Sequence, residues 1–77
     1  MGTKNNPGEF DCYESADPDE PMFVLLARDE LAPERVRNWA HAYSMKCGTD
    51  PTPQQNHKIN EAYQCALNMD RWRQENT

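Results

Sequence analysis

Only nine of the 77 residues are leucine, valine, isoleucine or phenylalanine, and this scarcity constrains the fold more than any motif does. The share is about 12%, below the rough 20% under which a chain struggles to bury enough apolar area to order itself. Seven alanines swell the apolar count, but each buries little. A domain this short builds a core worth about 3–5 kcal/mol. The arithmetic disfavours a sandwich, a barrel or a deep catalytic cavity. It leaves helices packed through small side chains, with missing burial supplied by another copy of the chain.

The helical pattern is explicit. Residues 29–47 are predicted as a first helix, with Asp29 and Glu30 at its start, Pro33 in its first turn and Gly48 after its end. Its apolar residues Ala32, Val36, Trp39, Ala40, Tyr43 and Cys47 form one stripe. After the turn Gly48-Thr49-Asp50-Pro51, Thr52 and Gln55 spell a capping box with Pro53 at the first helical position. The second helix runs toward Thr77 on a stripe of Ile59, Ala62, Tyr63, Ala66 and Met69, widened by Cys65 and Trp72. The expected fold is mainly α, an antiparallel two-helix hairpin.

Ahead of it lies the most hydrophobic run, Met22-Phe23-Val24-Leu25-Leu26. Its Phe-Val start favours a short strand over a short helix, and no second apolar run exists to pair with it. Its backbone groups are then met by the leader around Phe10 to Tyr13 or by the same strand of a second copy, since unpaired edges invite such pairing. Met22, Phe23, Val24, Leu25 and Leu26 are therefore the expected oligomer interface.

The net charge of −5 belongs wholly to residues 1–20, which hold six acidic groups against Lys4. Residues 21–77 carry seven basic and seven acidic groups. The expected organisation is a flexible acidic leader, 1–20, on a neutral helical domain, 21–77. A neutral body gives no electrostatic basis for non-specific nucleic-acid binding. No run of 18 apolar residues suggests a membrane span, and the start lacks the basic-then-apolar order of a secretory signal. The odd cysteines Cys12, Cys47 and Cys65 suit reduced thiols in a cytoplasm.

Chemistry-bearing constellations are weak. His41 and His57 do not combine with Cys47 and Cys65 at ligand spacing, so no metal is expected. Nothing assembles a nucleophile, base and orienting group, so no catalytic residues, enzyme activity or cofactor are expected either. Binding is the better reading. Trp72 sits between Arg71 and Arg73, and Trp and Arg are enriched in binding hot spots. Phe10 and Tyr13 stand out in the acidic leader as anchors for the body or for a partner. Trp39, Tyr43, Tyr63 and Trp72, with Arg28, Arg35 and Arg37, also supply residue types that stack a base and grip phosphate.

The run Asp19-Glu20-Pro21-Met22-Phe23-Val24-Leu25-Leu26-Ala27-Arg28-Asp29, then Leu31-Ala32-Pro33, Val36-Arg37, Trp39-Ala40 and finally Ala62, Ala66, Met69 and Trp72-Arg73, resembles a group of short accessory proteins of unassigned function encoded in tailed-phage and prophage genomes. The likeness covers about residues 19–73 and excludes the leader. It implies an accessory protein working in the cytoplasm of an infected bacterium. Non-enzymatic binding of a host protein, as an anti-defence or takeover inhibitor, is then the first expectation. A homo-oligomer sequestering a small nucleotide is the second, and a structural virion or packaging role the third.

Overall fold

The structure is a computed structural model describing residues 1–13 and 15–76. Two helices form: α1 over Ala32–Cys47 and α2 over Pro53–Glu75. They pack against each other as the hairpin the two stripes predict. Ala32, Ala40, Ala62 and Ala66 are completely buried and Ile59 nearly so. The seam is thus made of alanines around one isoleucine, and no large side chain is fully buried among the described residues.

The α2 start follows the sequence pattern closely. The Thr52 hydroxyl accepts from the Gln55 N–H at 3.1 Å, and the Gln55 side chain accepts from the Thr52 N–H at 2.8 Å. Together they satisfy two of the N–H groups that every helix start leaves bare. Thr52→Ala should cost about 1 kcal/mol, read as a lower midpoint in urea with unchanged slope. Gly48 ends α1 at φ 78, ψ −153, a region essentially closed to residues with a Cβ.

Helix α1 starts later than residue 29. Asp29 is spent on a turn: its carboxylate accepts from the Leu31 N–H at 2.9 Å, and its carbonyl accepts from the Ala32 N–H at 3.0 Å. This is the local competition by which Asp favours turns over helix interiors. Pro33 falls in the first turn, where its missing N–H costs nothing.

The expected strand at Met22–Leu26 is absent; among the described residues there is none. The reason is visible in the hydrogen bonds. No backbone group of Met22–Leu25 pairs with another among the described residues, and Leu26 uses only its carbonyl, toward Asp29 N–H at 3.0 Å. The leader does not run alongside to provide a ladder. It crosses α2 instead, where the Met1 ammonium binds the carboxylates of Asp11 and Glu61 and Phe10 lies edge-on to His57, ring centres 5.6 Å apart. A Cβ at Gly8 would overlap the Met1 amino group and the Glu61 carboxylate, so glycine is required where the leader meets α2. Tyr13 remains 80% exposed.

One cross-helix ion pair, Arg37 to Asp70 at 2.8 Å, adds to the seam. Both side chains are about two-fifths exposed, so solvent screens the pair to a contribution of under about 1 kcal/mol. The alanine seam holds the hairpin.

Candidate functional site

The last three turns of α2 present Cys65, Met69 and Trp72 to the segment that precedes α1. Leu25 and Leu26 lie opposite, and Met1 closes one end. Between them runs an open, mainly apolar groove of about 330 Å³. Arg73 holds its far wall in place. The guanidinium donates to the carbonyl of Arg28 at 2.9 Å and to that of Ala27 at 3.3 Å, tying the irregular segment to the end of the helix. Lys4, Arg28 and Asn68 stand on the rim.

Trp72, which the sequence singles out, therefore lines the groove at 46% exposure. Arg73 acts beneath it as a positioning residue rather than as a contact. Arg71 is exposed. Phe10 sits elsewhere, at the first turns of α2, and Tyr13 faces solvent. The structure does not gather these five residues at one place. Of the expected interface residues, Leu25 is half-buried, whereas Met22, Phe23, Val24 and Leu26 are exposed.

The aromatic and arginine set is also dispersed. Trp39 and Tyr43 stack at 5.1 Å with planes 7° apart, one helical turn from each other on α1. The cation above them is Lys58, its Nζ 5.6 Å and 5.2 Å from the two rings and 5.8 Å from Phe10. Trp39 is 43% exposed and is not the core anchor its central place in the stripe suggests, because the alanines bring the helices too close to admit an indole. Arg37 is engaged by Asp70 and Arg73 by backbone carbonyls. At this place the rings are met by a lysine that links the leader to both helices; of the arginine and aromatic set, Arg28 and Trp72 share the groove.

A His–carboxylate cluster escapes notice in the sequence. Glu9, His57 and Glu61 place one ligand atom each within 4.8 Å of one another, with Glu9 3.1 Å from His57 Nδ1. The signal is His57-x-x-x-Glu61, one turn apart on α2; it is missed when only His and Cys are counted as ligands. Glu61 is already bound by the Met1 ammonium, and Glu9 and His57 are exposed. Burial lowers and its acidic partners raise the pKa of that ammonium; the hydrogen bonds and charges of Asp11 and Glu61 prevail, and it titrates above its ordinary value. The same contact, foremost its hydrogen bond, holds Asp11 below the usual carboxylate range. Burial, the largest influence, pushes the Cys65 thiol up, so the sulfur in the groove wall is a protonated, apolar surface rather than a nucleophile.

No family model matches the chain, and neither a curated protein nor a solved structure is similar to it. The groove must speak for itself. It is shallow, one-sided and lined by apolar side chains from the α2 end and the irregular segment. A small cofactor needs convergent polar groups and enclosure. An apolar side chain of a protein partner needs a slot with an aromatic wall and a polar rim. The geometry suits the second.

Proposed function

We propose that the chain acts by binding rather than by catalysis, as a phage-type accessory protein that seats a host protein in the Leu25–Leu26–Met69–Trp72 groove. The observation that carries this reading is the chain's excess of exposed surface, to which the apolar residues in and beside that groove contribute. The chain exposes 6401 Å², whereas a compact protein of 8.9 kDa exposes about 4800 Å². Its radius of gyration is 13.1 Å, against about 11.5 Å for a compact domain of this length. Phe23, Val24, Leu26 and Trp72 contribute to the excess. Contiguous apolar surface with a polar rim marks interaction sites.

Action in the cytoplasm of an infected bacterium, as an inhibitor of a defence or nucleic-acid-processing protein, is the setting that the phage resemblance supports. Three free cysteines are compatible with a reducing compartment. No helix among the described residues is long and apolar enough to cross a membrane, which fits this setting. Site-specific photo-crosslinking tests the reading. Benzoylphenylalanine at Asn68, on the rim, should capture one discrete host protein, competed by excess unlabelled chain; the same probe at His41, on the outer face of α1, should not. Equal capture from both positions would refute the groove as the contact.

A further inference from the structure

We propose that the chain pairs with a second copy of itself through Met22–Leu26, antiparallel and centred on Val24. This goes beyond the groove reading and does not depend on it, since the pairing needs no other protein.

Three observations converge on it. The segment's backbone is uncommitted. No N–H or C=O of Met22–Leu25 is hydrogen-bonded among the described residues, and of Leu26 only the carbonyl is used, toward the Asp29 N–H, so nearly all of the ladder's groups are available. Its side chains are unusually bare, with Phe23 84% and Val24 60% exposed. Both are residues that favour strands. Met22 and Leu26, 44% and 52% exposed, extend the bare stretch on either side, so the whole segment is apolar surface that pairing would cover.

Charge decides the direction and the register. Acid precedes the segment, at Asp19 and Glu20, and Arg28 follows it. Parallel, in-register pairing would oppose Glu20 to Glu20 and Arg28 to Arg28, and like charges directly opposite destabilise a sheet. Antiparallel pairing about Val24 brings the acidic start of each segment, at Glu20, toward the turn that closes the other, where Arg28 stands, once on each side of the two-fold axis. It also matches Met22 with Leu26 and Phe23 with Leu25, so all five apolar residues meet apolar residues. Moving the centre to Leu25 sets Glu20 toward Glu30 instead. Pro21, which has no N–H to offer, falls just outside the ladder at its first position, where proline is tolerated. Asp29 lies in the turn that leads into α1, beyond the paired stretch.

Sedimentation equilibrium of the purified chain tests the proposal without any partner present, so its failure would leave the groove reading untouched. The wild type should sediment at twice 8.9 kDa at high micromolar concentration. Val24→Pro removes the central donor and should leave a monomer, with far-UV helicity unchanged because the segment lies outside both helices. Glu20→Arg and Arg28→Glu alone should each weaken the dimer about tenfold, as two opposed pairs change from attraction to repulsion. The double variant should restore it. A monomer at every concentration, a dimer indifferent to Val24→Pro, or reversal without rescue would each overturn the pairing.

Discussion

Ala62→Leu should unfold most of the chain at 25 °C. Ala62 is completely buried in the seam between α1 and α2, facing a neighbour helix whose own contact residues, Ala32 and Ala40, are buried to the same degree. Three added carbons have no void to enter. Overpacking a tight site costs about 1–3 kcal/mol and occasionally more, and the whole core of a domain this size is worth about 3–5 kcal/mol. The loss is therefore comparable with the total. Ala62→Gly, which keeps the space but loosens the helix, should cost only about 1 kcal/mol. Circular dichroism in a urea titration distinguishes the two: a small shift of midpoint for glycine, and loss of most helical signal before denaturant for leucine. A chain that tolerated leucine here would show that the helices are held by something other than close approach.

Leu26→Asp combined with Trp72→Ala should weaken capture of the proposed protein partner about a hundredfold. The indole is one wall of the groove and Leu26 part of the other. Truncating a tryptophan anchor at the centre of an interface costs about 2–4 kcal/mol, and a carboxylate placed among apolar walls leaves a charge that the partner must desolvate. Neither position is in the seam: Trp72 is 46% and Leu26 52% exposed. The hairpin should therefore keep its helicity while binding is lost, and Trp72→Ala alone, outside the proposed Met22–Leu26 ladder, should also leave the oligomeric state unchanged. Binding that survived the double variant would move the contact surface away from the groove.

The hairpin was legible in the sequence because its signals are local. Thr52, Pro53 and Gln55 form their capping box with one another, and Gly48 breaks α1 by its own backbone freedom. Alanine spacing on the two stripes is enough to place Ala40, Ala62 and Ala66 inside. The start of α1 was misread because Asp29 serves equally as a helix-start residue and as a turn acceptor, and only the turn geometry separates the two. The strand at Met22–Leu26 was misread for a different reason. A strand is a statement about a neighbour, and composition says nothing of whether one is present. The groove was half legible: Trp72 was marked by its place between two arginines, but that Arg73 grips the Ala27 and Arg28 carbonyls follows from a chain reversal that no local pattern records. Lys58 was invisible as a binding element, since its three aromatic neighbours come from α1 and from the leader.

The hairpin has two unlike ends. At one, the residues between Cys47 and Pro53 end α1, reverse the chain and cap α2. At the other, Trp72 and Arg73 gather the irregular segment into the groove. At 1.5 Å per residue, about 29 Å of helix α2 separates Pro53 from Trp72. A fluorophore, affinity tag or inserted domain grafted into the turn would thus stand clear of the recognition end, while the same cargo joined after Glu75 would hang beside it and obstruct it. The molecule offers a handle at the end away from the groove, and only cargo placed there leaves the groove open.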